Sequence, residues 1–141
     1  FREMARIAAA HHFGNRPSRI IFKASGLSNF VFAIKNHEGD FIVRISPEQW
    51  RIKSFIKEQW AQNAAREAGV PIAEILEVGM ETISQPYMIT RLVKGGEATH
   101  HPNRMEILRE LGRYAALINS IKTKGFGKTF DWSNNQLSLN E

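Results

Sequence analysis

The chain has 141 residues, 43% hydrophobic and 23% charged, with a formal net charge of +5 and no cysteine. That length suffices for one globular domain with a core, and the composition excludes disordered, collagen-like and disulfide-stapled classes. No apolar run reaches the roughly 18 residues that cross a bilayer, and Phe1-Arg2-Glu3-Met4 lacks the basic-then-apolar layout of a signal peptide, so a cytoplasmic protein without a membrane partner is expected.

The excess positive charge favours an anionic partner. The basic residues stand singly, at Arg16, Arg19, Lys23, Lys35, Arg44, Arg51, Lys53 and Lys57, rather than in one tract, which argues against nucleic acid. Most of them read as a solvated face.

In chain order, Met4, Ile7 and Ala8 recur at helical spacing from Arg2 to His12, and Gly14 with Pro17 ends the pattern. Arg19 to Ala24 and Phe30 to Lys35 read as strands joined at Gly26-Leu27-Ser28-Asn29. A polar turn at Asn36-His37-Glu38-Gly39-Asp40 leads to a third strand, Phe41 to Ile45. Beyond Ser46-Pro47, Ile52, Phe55, Ile56, Trp60, Ala64 and Ala68 line one helical face up to Gly69-Val70-Pro71. Two further strands follow, Ile75 to Met80 and Tyr87 to Val93, and Lys94-Gly95-Gly96 opens a joint. Asn103 and Glu106 form a capping-box pattern for a helix carrying Met105, Leu108, Leu111, Ala115, Ile118 and Ile121, ended at Gly125. The polar tail from Thr129 is expected to be loose.

Short connections between strands imply an antiparallel sheet. The fold class is therefore α+β: five antiparallel strands, one long helix between the third and fourth, a leading helix and a trailing helix. The domain reading is a lobe over residues 1–93, with 94–141 forming a linker and the first helix of a second unit.

Gly26-Leu27-Ser28-Asn29-Phe30-Val31-Phe32, Phe41-Ile42-Val43-Arg44-Ile45, Lys57-Glu58 ahead of Pro71, and Gln85 to Gly95 with its Arg91-Leu92-Val93 together resemble the small lobe of the aminoglycoside phosphotransferase and choline kinase superfamily. Leu111-Gly112 through Asn119 resembles the first helix of its large lobe, and Gly125-Phe126-Gly127 also fits. The family's His-Gly-Asp stretch, with its following Asn and later Asp, does not occur in this sequence, whose only aspartates are Asp40 and Asp131. The resemblance thus implies an ATP-binding lobe of a small-molecule phosphotransferase. Base, Mg2+ ligands and acceptor site would lie elsewhere in the parent, and the chain alone would lack turnover.

The resemblance also assigns candidate residues. Arg44 sits mid-strand with its side chain opposite those of Val43 and Ile45, at the position where the family grips the nucleotide phosphates. Glu58 lies at the Phe55 edge of the helical stripe, suited to pair with Arg44 as the strand lysine and helix glutamate do in protein kinases. Gly26, Ser28 and Asn29 would cover phosphates from their turn, and backbone groups at Arg91 and Val93 would meet adenine. Ile21, Ala33, Ile42, Ile75 and Thr90 are candidate walls of its pocket, although strand aliphatics also serve simply as core.

Each assignment has a plainer counterpart: Arg44 and Glu58 as surface charges, and the Gly26 turn as an ordinary hairpin without any Gly-rich phosphate motif. His11, His12, His37, His100 and His101 lack a third ligand at a metal-binding spacing, so no metal site is expected in this chain. The alternative function class is a non-catalytic kinase-derived interaction module or a basic RNA-binding α+β domain, with Trp50 and Trp60 as stacking platforms. A truncated lobe would also leave an apolar face able to self-associate.

Overall fold

A computed structural model describes residues 1–25, 29–96 and 98–123, the side chains of 24 and 25 excepted, together with the backbone of 130–131 and 136–137. Helix α1 (Arg2–Phe13) ends where Gly14 takes a left-handed conformation, φ 68°, a C-terminal geometry that glycine adopts without a Cβ penalty. Strands β1 (Arg19–Ser25), β2 (Phe30–Asn36) and β3 (Gly39–Ile45) follow, then a 3-10 turn (Gln49–Arg51) and helix α2 (Ile52–Glu67). Strands β4 (Ile75–Gly79) and β5 (Tyr87–Arg91) lead to α3 (Arg104–Ser120), and the two-residue strands β6 (Phe130–Asp131) and β7 (Gln136–Leu137) pair with each other.

The five longer strands form one sheet in the order β1-β2-β3-β5-β4, every neighbouring pair antiparallel. This is the expected α+β lobe, with α2 carrying the chain from β3 to the far edge at β4. The β2–β3 turn is tighter than the apolar pattern indicates, β2 running one residue further and β3 starting two residues sooner, because Asn36 pairs with Gly39 and its Oδ1 accepts the N–H groups of Glu38 and Gly39 at 2.8 and 3.2 Å.

Strand alternation divides the sheet into two faces. One buries Phe32, Ile34, Phe41, Val43, Ile45, Tyr87 and Ile89 beneath Ala5, Ala8 and Ala9 of α1, whose small side chains let the helix lie close. On the other face Met88 and Ile75 pack with Phe55 of α2. Phe55, at 3% exposed, is the anchor of the predicted apolar stripe, whereas Ile56 keeps 38% of its surface in solvent.

Two compact units divide the chain: Phe1–Gln59 with Ala73–Val93, and Trp60–Ile72 with Lys94–Glu141. In the second, the N–H of Val70 closes the α2 terminus on the Ala65 carbonyl at 3.0 Å, and Gly69 has φ 91°. Asn103 is the N-cap of α3, but its side chain makes no capping bond, so the expected capping box does not form. The His101 ring accepts the Asn103 N–H instead, at 3.1 Å. The helix stops at Ser120, where Ile121 turns extended, short of the expected Gly125. Gly125 itself lies outside the described residues, and the pairing of β6 with β7 corrects the expectation of a wholly loose tail.

Candidate functional site

The site is built on the sheet face that carries α2, all within the first unit. By register, Val31, Ala33 and Lys35 of β2 stand beside Arg44, Ile42 and Asp40 of β3, and Ile21 and Thr90 extend the row opposite Ala33 and Ile42. Opposite residues of antiparallel strands share a face. The α2 side chain that packs deepest, Phe55, rests on Ile75 and Met88, at the β4–β5 end of this face. Toward β1 and β2 the surface opens into a cavity of about 240 Å3 whose lining includes Ile21, Ala33 and Leu92 with the charged Arg19, Lys23, Lys35 and Asp40.

Arg44 is fixed on the same sheet face, four residues along β3 from Asp40. Its Nη2 donates to Glu58 Oε2 at 2.6 Å and to Met88 Sδ at 3.2 Å, and its guanidinium lies 5.2 Å from the centroid of the Phe55 ring. The Arg44 and Glu58 side chains are 26% and 34% exposed, so the pair is shielded from bulk water without being sealed. The Nε of Arg44 is buried and has no hydrogen-bond partner among the described residues. A buried donor left unpaired costs free energy unless something else meets it.

The remaining candidates divide. Gly26 and Ser28 lie outside the described residues. Asn29 is half-buried, its Oδ1 unpartnered among the described residues. The N–H of Arg91 is committed to the Glu74 carbonyl at 3.0 Å, and its side chain to Glu74 Oε2 at 2.9 Å, over the Phe41 ring on the α1 face. Val93 makes no backbone hydrogen bond among the described residues. Leu92, not singled out from sequence, is the member of this segment that lines the cavity, and its N–H bonds the Asp40 carbonyl at 3.0 Å. Of the proposed walls, Ile21 and Ala33 line the cavity, Ile42 and Thr90 continue its row, and Ile75 belongs to the Phe55 cluster.

Sequence reasoning also missed a polar cluster on the α1 side of β4. His12 Nδ1 lies 2.5 Å from Glu77 Oε2, and the buried Tyr87 hydroxyl donates to the other oxygen of Glu77. Burial, helped by the neighbouring carboxylate, pushes the Tyr87 phenol up to about 12. These residues are far apart in the chain and belong to no motif, so no local signal joins them. Among the described residues no three His, Asp or Glu side chains converge to hold a metal ion.

A sequence model described as the phosphotransferase enzyme family matches residues 20–140. The chain belongs to the phosphotransferase enzyme family. Solved structures share the fold: aminoglycoside phosphotransferase APH(4)-Ia superposes with a TM-score of 0.71 at 19% identity, covering 90% of this chain and 43% of that one. A thermostable mutant of the same enzyme, in a ternary complex with AMP-PNP and hygromycin B, gives 0.68 at 20% identity over 89% and 42%. Another in a complex with ADP and hygromycin B gives 0.59 at 19% identity, over 86% and 42%. The chain therefore spans less than half the length of these phosphotransferases. No curated protein matches it in sequence.

Proposed function

We propose that this chain is the ATP-binding small lobe of a phosphotransferase that moves the γ-phosphate of ATP to a hydroxyl of a small molecule. The observation that carries the reading is Arg44: a guanidinium held by Glu58, Met88 and Phe55, with a buried Nε that has no partner among the described residues, on the same sheet face as an open, partly apolar cavity. From the cavity level at Asp40 to Arg44 is four residues of strand, about 13 Å at the rise of a strand. That is the scale on which a nucleotide separates its base from its terminal phosphates.

In this reading Ile21, Ala33 and Leu92 hold the base, backbone groups at Arg91 and Val93 hydrogen-bond it, and the Gly26-Ser28-Asn29 turn covers the phosphates. Arg44 binds phosphate oxygens and Glu58 fixes its direction. A preset cation of this kind stabilises spreading phosphate charge without reorganising at the moment of transfer. Mg2+ would neutralise charge on the bound phosphates, held by residues outside those described. The AMP-PNP and ADP complexes of the structural neighbours support a nucleotide ligand, and hygromycin B supports a hydroxyl-bearing acceptor of the parent protein. A cytoplasmic setting, where ATP is present, belongs to the same reading.

The test is ATP binding by calorimetry to the chain and to the parent protein. Arg44→Ala is expected to weaken affinity by about tenfold or more, from the loss of one charge-assisted contact worth roughly 1.5–3 kcal/mol. Unchanged affinity would overturn the assignment. Single-stranded RNA binding that falls steeply with salt while ATP does not bind would favour the RNA-binding alternative.

A further inference from the structure

Strand β1 ends the sheet, and its outer side has no strand beside it among the described residues. The Ile20 carbonyl accepts a hydrogen bond from Arg2 Nη2 at 2.9 Å, so it points away from β2. By antiparallel alternation the N–H of Ile20 and both backbone groups of Phe22 face outward too. A cleft of about 550 Å3 runs along this edge, floored by the continuous stretch from Pro17 to Phe22 and walled by Arg2 and Arg6 one helical turn apart on α1. Among the described residues its charged lining side chains are Arg2, Arg6 and Arg19, of which Arg6 also pairs with Glu3 on its own helix.

An open edge of this kind is ordinarily blunted by a short strand, a bulge or an inward charge. Here the register shift falls after Phe22, so the stretch from Arg19 to Phe22 stays regular. Ile21 and Phe22 are 37% and 51% exposed, leaving apolar surface between the cations. Backbone donors and acceptors in a row, of which only the Ile20 carbonyl is met, by Arg2, among the described residues, together with apolar side chains and three arginines define the partner's chemistry: an extended chain that adds a strand and carries carboxylates.

We infer that the β1 edge is a docking site for an extended acidic peptide segment of a partner protein, bound as a sixth strand with its carboxylates against Arg2, Arg6 and Arg19. A second copy of this chain fits less well, because two β1 strands paired about a two-fold axis would set these arginines against one another. The cleft shares Arg19 and Ile21 with the cavity of the proposed nucleotide site but contains no part of the Arg44 cluster, and Arg6 lines only the cleft.

The probe is an acetylated, amidated peptide of alternating glutamate and valine, titrated into the chain and followed by amide hydrogen exchange. Slowed exchange at Ile20 and Phe22 is expected, with affinity falling as salt rises. Arg6→Glu should weaken binding about tenfold, and N-methylation of alternate peptide amides, or replacement of glutamate by lysine, should abolish it while the protein stays unaltered. The inference is overturned if the peptide fails to bind, or if the N-methylated peptide binds equally. It is also overturned if inorganic triphosphate protects the same amides, or if they become protected with rising protein concentration alone. ATP affinity should be the same for Arg6→Glu as for the parent chain, which separates this result from any failure at Arg44.

Discussion

Arg44 owes its position to three neighbours from two elements, Glu58 and the Phe55 ring of α2 and Met88 of β5. None of them alone would immobilise a side chain with so many rotamers. Tyr87 is the other residue whose chemistry depends on its surroundings. Its phenol is raised from 10.0 to about 12 by burial and by Glu77. A group whose folded value exceeds its unfolded one supports the fold below the unfolded value and ceases to do so as pH rises through the folded value. Stability should therefore decline by about 2 kcal/mol between pH 10 and 12 on account of this group. The chain has only two tyrosines, so absorbance titration compared with Tyr87→Phe isolates it. In the variant, thermal unfolding should lose this part of its alkaline slope.

At the scale of elements, α2 is held to the sheet at one deep point within the first unit. Phe55 is 3% exposed and packs on Ile75 and Met88, while its predicted companion Ile56 is 38% exposed. Phe55→Ala should cost about 3 kcal/mol, the usual penalty for emptying a buried aromatic site. Ile56→Ala should cost under about 1 kcal/mol. Chemical denaturation of both variants checks this, and a larger loss at Ile56 would contradict the packing described. Because the Phe55 ring also supports the Arg44 guanidinium, Phe55→Ala is expected to reduce ATP affinity more than Ile56→Ala does. The same element shows the limit of periodicity: the spacing of its apolar residues marks a face but not how deeply each member is buried.

For the whole molecule, the exposed apolar side chains of α3 matter most. Met105, Leu108, Leu111 and Ile118 are 46% to 58% exposed on one helix, an exposed apolar stripe of the kind that marks an interaction surface. We expect the isolated chain to self-associate through this stripe at high concentration. Leu108→Glu combined with Leu111→Glu should shift sedimentation toward monomer, and an unchanged profile would exclude α3 as the contact.

The α+β class, the five strands and the two long helices were legible in the sequence, because apolar period and turn residues act within a few positions of one another. The Arg44–Glu58 pair was legible too, through strand alternation, helical phase and the family's pattern. Tertiary structure alone decided which half of the sheet face stays open, that Leu92 lines the cavity, that Met88 supports Arg44, and that His12, Glu77 and Tyr87 meet. It also decided that Asn103 does not cap α3 with its side chain. Such outcomes depend on contacts between residues distant in the chain, and these follow from how helices and strands pack, which local pattern does not encode.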